Sequence, residues 1–122
     1  RTDALTIDDD TPYAVVAVSS FGTQPIKTAK RLLVTAIARV EPTGFRWVDQ
    51  GKRDVADIGR PPLLQEPVRA KVVWRRAGEV KAYALDADGK RTGRVDVRIT
   101  ADGPVLTIDG KTPGMHWELT LE

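Results

Sequence analysis

The sequence has no cysteine, a single histidine (His116) and only two serines, Ser19 and Ser20. Without cysteine there is no disulfide and no thiolate metal ligand, and the redox compartment stays open. One histidine and no cysteine cannot supply the usual ligands of a zinc site. A Ser-His-acid triad would have to draw on Ser19, Ser20 and His116, and no G-x-S-x-G nucleophile elbow is present. No catalytic residue, metal ligand or cofactor site is therefore expected.

Long hydrophobic runs are also missing. None reaches the roughly 18 residues of a bilayer-crossing helix, so no membrane partner is expected. Charge of one sign does not dominate either: 19 basic residues stand against 17 acidic ones, for a net charge of +2. The two signs are interspersed, whereas nucleic-acid binding usually leaves a clustered basic footprint. A reading as a binder of nucleic acid or another anionic polymer would rest on Arg69, Lys71, Arg75, Arg94 and Arg98 on exposed strand faces, and a salt-dependent affinity would mark it.

What the chain does contain is a globular balance, 41% hydrophobic and 30% charged residues over 122 positions. That length suits one domain spanning residues 1–122. The sequence begins at Arg1 with neither an initiator Met nor a signal-like segment, which suggests a piece cut from a longer polypeptide.

Apolar residues recur with a period of two. Met115, Trp117, Leu119 and Leu121 alternate with His116, Glu118, Thr120 and Glu122, which puts one set on each face of a strand. Val68, Ala70, Val72 and Trp74 alternate in the same way with Arg69, Lys71, Val73 and Arg75. So do Val95, Val97 and Ile99 with Arg94, Asp96 and Arg98. In "KRLLVTAIARV", residues 30 to 40, Leu32, Val34, Ala36 and Ala38 on one side are matched by Leu33 and Ile37 on the other. Apolar residues on both sides predict a central strand. The stretch "PYAVVAVSS", residues 12 to 20, predicts another. The β-branched content of "IKTAKRLLVTAIARV" favours strand over helix.

Turn signals recur at short intervals: "DDDTP", "SFGTQP", "EPTG", "RAGE", "DADGKRTG", "ADGP" and "DGKTPG". Many short strands with frequent turns predict an all-β fold, an antiparallel two-sheet β-sandwich of jelly-roll or immunoglobulin-like type. Residues 48 to 66 lack a sustained period and read as one long loop, a kind of segment that tends to be functional or to meet a neighbour.

Two acidic clusters offer oxygen ligands of the kind calcium favours, Asp8 to Asp10 and Asp86 to Gly89. The second lacks the bidentate Glu of a calcium loop, because Val97 holds that position. Both are better read as turns in which Asp bonds its own backbone. Among the aromatics, Trp74 and Trp117 fall on apolar strand faces and belong to the core. Trp47, with Phe45, Arg46 and Asp49, stands at the entry to the long loop, where aromatic and polar groups alternate as in a sugar-binding surface. Burial of Phe45 and Trp47 at the end of the sandwich, or against another domain, is the favoured reading.

The phrases "PYAVVAVSSFGTQPIKTAKRLLVTAIARVEPTGFRW", "RPPLLQEPVRAKVVWRR", "KAYALDADGKRTGRVDV" and "GMHWELTLE" resemble the C-terminal β-sandwich that follows the catalytic (β/α)-barrel in several groups of bacterial glycoside hydrolases. The matching positions are Ala29 to Val34, Ala38 to Gly44, Pro62 to Val68 and Lys81 to Arg91. Ala29 stands where Ser is usual, and Glu41-Pro42-Thr43 where Glu-Asn-Thr is. The resemblance implies a non-catalytic accessory domain, whose partner is the catalytic barrel of the same polypeptide and whose setting is secreted or periplasmic. Phe45 to Trp47 would then belong to the edge that meets the barrel. The alternative is a carbohydrate-binding module that grips polysaccharide through Phe45, Arg46, Trp47 and Asp49.

Overall fold

The computed structural model describes all of residues 1–122. Thirteen strands and no helix make up the regular structure: β1 (Leu5–Asp9), β2 (Val15–Ser20), β3 (Arg31–Ile37), β4 (Val40–Thr43), β5 (Arg46–Trp47), β6 (Val55–Asp57), β7 (Arg60–Gln65), β8 (Ala70–Trp74), β9 (Val80–Leu85), β10 (Arg91–Val95), β11 (Val97–Thr100), β12 (Gly103–Ile108) and β13 (His116–Leu121). Nine of them form two antiparallel sheets, a four-stranded one in the order β1-β8-β12-β11 and a five-stranded one in the order β10-β9-β13-β3-β2.

Both sheets contribute to one buried cluster, which is why the fold is a sandwich. Leu5, Ala70, Val72, Trp74, Leu106 and Ile108 face inward from the four-stranded sheet. Leu32, Val34, Ala36, Ala82, Trp117 and Leu119 face them from the five-stranded one. The period-two sets of β8, β3 and β13 therefore bury the residues that the alternation selects. Trp74 lies at the centre with no exposed surface, and its indole Nε1 donates to the Ile26 carbonyl at 3.2 Å. That bond satisfies the one polar atom a buried Trp brings with it.

Three expectations need correction. First, β2 is an edge strand and does not lie in the middle of a sheet. β3 is indeed flanked on both sides, by β13 and β2, but nothing pairs with the far side of β2. Val16 and Val18 pack on the core while Val15 is left 63% exposed, so the run of valines did not signal burial on two faces. Second, residues 94 to 99 are not one strand. The chain leaves the five-stranded sheet at Val95 and enters the four-stranded one at Val97, with Asp96 alone between them. Val95 and Val97 both reach the core across this corner, whereas Ile99 lies in the open. Period-two alternation did not reveal the change of sheet, because Val95 and Val97 stay inward on either side of it.

Third, the polar face of β13 is not simply solvated. Glu118 is only 2% exposed, although it points away from the interlayer core. Arg31 Nε donates to its Oε1 and Arg91 Nε to its Oε2, each at 2.7 Å. Each guanidinium also caps an aromatic ring, Arg31 that of Phe21 at 4.6 Å and Arg91 that of Tyr83 at 3.9 Å. The line Phe21, Arg31, Glu118, Arg91, Tyr83 thus crosses the outer face of the sheet. The bond from Arg91, ahead of that from Arg31, holds the Glu118 carboxyl below its ordinary range against the opposing effect of desolvation.

The acidic cluster after β9 is the hairpin turn expected of it. Asp86 Oδ1 accepts from the backbone N–H groups of Asp88 and Lys90, at 3.0 and 2.8 Å. Asp9 likewise accepts from the Thr11 N–H at 2.9 Å where β1 ends.

Candidate functional site

Residues 48 to 66, read from the sequence as one long loop, contain two strands. β4 pairs with β7 and β5 with β6, so residues 40 to 65 double back as a two-stranded ribbon outside both main sheets. The pairing skips between Pro42 and Thr43 and again between Arg46 and Trp47. Irregular pairing, three prolines and short strands erase the period that would have announced it. A β-hairpin signal needs two regular runs on either side of a short turn.

Several interactions fix this arm where it leaves the sandwich. The Arg39 guanidinium grips the Glu66 carboxylate with two bonds, Nε to Oε2 at 2.9 Å and Nη2 to Oε1 at 3.3 Å. The Glu66 N–H donates to the Arg39 carbonyl at 2.8 Å, and the Tyr13 ring lies 5.5 Å from the guanidinium. The bond from Arg39 lowers the Glu66 carboxyl below its usual value. Farther out, the Thr43 hydroxyl donates to the Pro62 carbonyl at 2.8 Å. Gly59 permits the next bend, since a Cβ there would stand 2.7 Å from the Thr43 carbonyl oxygen.

The arm places the four predicted sugar-binding residues as follows. Phe45 and Trp47, two apart on the chain, pack edge to face with centroids 5.0 Å apart and planes at 85°. Both are half-buried, and Arg46 between them is exposed opposite Asp57. Asp49 is not brought to the rings as a ligand group. Its Oδ1 accepts from the Gly51 N–H at 2.8 Å, and so it shapes the turn at the tip. Two rings at right angles offer no continuous flat platform, and the one carboxylate of the set is engaged in its own turn.

What the arm does present is aliphatic surface, as expected of a segment that meets a neighbour. Ile58 is 78% exposed and Leu63 66%, and Val40, Val48, Val55 and Leu64 are exposed as well. A ribbon facing water on both sides is usually polar. Pro42 in β4 and Pro61 and Pro62 in β7 lack backbone donors, which blunts both strands as templates for a further strand. Contact with another body would therefore run through side-chain faces.

The other candidates disperse. Lys71 and Arg98 are exposed on the four-stranded sheet, Arg69 lies exposed just ahead of β8, and Arg94 lies on the opposite sheet. Lys71 is the cross-strand partner of Asp8, Arg75 donates to the Thr6 hydroxyl at 2.9 Å, and Asp8, Asp9 and Asp10 share a shallow cavity with Arg69. These cations do not form one basic face. His116 Nδ1 meets the Thr35 hydroxyl at 3.0 Å, while Ser19 stands opposite Leu33 and Ser20 opposite Leu32. The acid nearest in sequence, Glu118, is committed to two arginines.

No protein-family model matches the chain, and no curated protein or solved structure is significantly similar to it.

Proposed function

We propose that this chain is a non-catalytic accessory β-sandwich of a glycoside hydrolase, which packs on the catalytic barrel of its own polypeptide through the arm of residues 40 to 65 and supports it. The observation that carries the reading is the set of exposed aliphatic side chains, Ile58, Leu63 and Leu64 foremost, with Leu63 and Leu64 on opposite faces of a ribbon clamped at its base by Arg39 and Glu66. Large apolar side chains left exposed on an ordered element are the mark of a contact site. Interfaces between domains of one chain bury about 600 to 1,500 Å². The identity of the partner comes from the phrases that resemble hydrolase accessory domains, "RPPLLQEPV" among them, which spans β7 itself. The paired carboxylates of such a hydrolase, acting as acid and nucleophile, then belong to the barrel.

The deciding experiment adds the barrel domain of the parent polypeptide to this chain in a calorimetric titration. Wild type should bind. The double substitution Leu63→Glu and Leu64→Glu should abolish binding while leaving the melting temperature unchanged, because both side chains are solvent-facing here. Equal binding by the double variant would refute docking through the arm. A parallel titration with plant and algal oligosaccharides tests the alternative. Dissociation constants at or below about 100 μM, lost on Trp47→Ala, would replace the docking role by that of a carbohydrate-binding module.

A further inference from the structure

A hollow of about 340 Å³ opens on the outer face of the five-stranded sheet, away from both the arm and the interlayer core. Its volume lies at the lower end of the range for small-molecule sites. Leu33 and Leu85 line it, Phe21 stands at one side with 43% of its surface exposed, and the β9–β10 turn through Asp86 and Asp88 stands at another. Arg31, Glu118 and His116 complete it.

The clamp on Glu118 accounts for Arg31 and Arg91 by itself. Arg31 in turn covers part of the Phe21 ring at 4.6 Å and leaves the rest of it open to the hollow, and nothing in the clamp engages Asp88, which borders the same hollow. Arg31 meets Glu118 through Nε, which leaves its terminal amino groups as donors. His116 meets Thr35 through Nδ1, which leaves Nε2. In the turn, Asp86 Oδ1 accepts the backbone bonds, including the one from the Asp88 N–H, so the Asp88 carboxylate is an unspent acceptor. Donors and acceptors thus ring an apolar floor and an aromatic side wall.

Charge narrows the occupant. Glu118 is shared between Arg31 and Arg91, and the two carboxylates of Asp86 and Asp88 at the rim outweigh the one positive charge this leaves, so an anionic ligand is disfavoured. A neutral ring with hydroxyls around its edge and C–H groups on its face matches these donors, acceptors and apolar floor in kind. We propose that this hollow binds a neutral sugar ring, its C–H face against the part of Phe21 that Arg31 leaves open and its hydroxyls to Arg31, His116 and Asp88. The site is pre-organised, since β13 is paired on both sides and the buried Glu118 holds Arg31 in place. This inference does not rest on the docking role of the arm, and either can fail alone.

The test is an amide-shift titration of the isotopically labelled full chain with neutral mono- and disaccharides, and with a uronate as the anionic control. Saturable shifts are expected at Phe21, Arg31, Asp86 to Gly89 and His116, with a dissociation constant of about 0.1 to 10 mM. Phe21→Ala and Asp88→Ala, both at exposed positions, should each weaken binding by about tenfold or more, and Trp47→Ala should leave it unchanged. Four results would overturn the proposal: no saturable shift with any neutral sugar up to about 100 mM, preference for the uronate, shifts centred on residues 45 to 47, or affinity unmoved in both hollow variants.

Discussion

Gly103 passes so close to the backbone of Trp74 that a Cβ on it would stand 2.3 Å from the Trp74 carbonyl oxygen. Its φ of +123° is also one that side-chain-bearing residues rarely adopt. The turn from β11 into β12 can thus close over β8 only with glycine in place. Gly103→Ala should lower stability by more than about 2 kcal/mol. Gly93→Ala, where no atom lies within 4 Å of the new Cβ, should change it by less than about 0.5 kcal/mol. Urea midpoints of the two variants decide it, and equal midpoints would contradict the close approach.

Trp74→Ala removes the largest fully buried side chain and orphans the Ile26 carbonyl. A loss of about 3 to 5 kcal/mol is expected from calorimetric or denaturant unfolding. A loss below about 1 kcal/mol would mean that the two sheets do not close over this ring.

Glu118 makes stability depend on pH in one direction. Its folded carboxyl titrates below the ordinary value of 4.5, so the paired carboxylate stabilises the fold above that pH. The contribution fades as pH falls through the lowered folded value. Melting temperatures of wild type and Glu118→Gln should therefore differ most near neutrality and converge in acid. A gap that stays constant down to about pH 2 would rule out the ion pairs as its source. Glu66, lowered by Arg39, acts in the same direction but is far more open to water, so Glu66→Gln should show a smaller gap.

Arg39→Ala should loosen the arm without loosening the sandwich. Amide exchange within residues 40 to 65 should accelerate, while residues 31 to 37 of β3 keep their protection. Uniform acceleration across both segments would show that the arm and the sandwich open as one unit.

The sandwich was legible wherever one face of a strand is buried and the other wet. Val72 and Trp74 in β8, and Trp117 and Leu119 in β13, lie inside as the alternation requires. Three features left no such trace. The corner at Asp96 preserves the alternation and so hides a change of sheet. Val15 looks like core but sits on the outer face of the edge strand β2. The ribbon of β4 to β7 is short, proline-broken and irregular in register. The candidate surfaces were legible only as residues, and their assembly was not: Phe45 and Trp47 are neighbours by chain spacing, but Phe21, Asp88 and His116 meet only through the order β9-β13-β3-β2. The alternation placed Glu118 on the polar face of β13 but gave no sign of its burial, because its two arginines lie 87 and 27 positions away.

The single residue between β10 and β11 gives the sandwich a spine. On that side the two layers are joined by a link too short to let them separate. On the opposite side β1 and β2, the outermost strands of their respective sheets, are joined by the five residues Asp10 to Ala14. The molecule is thus bound like a book along Asp96, with its free margin at β1 and β2. Water entering between the layers arrives first at Ile7, Val16 and Val18, and last at Val95 and Val97 beside the spine.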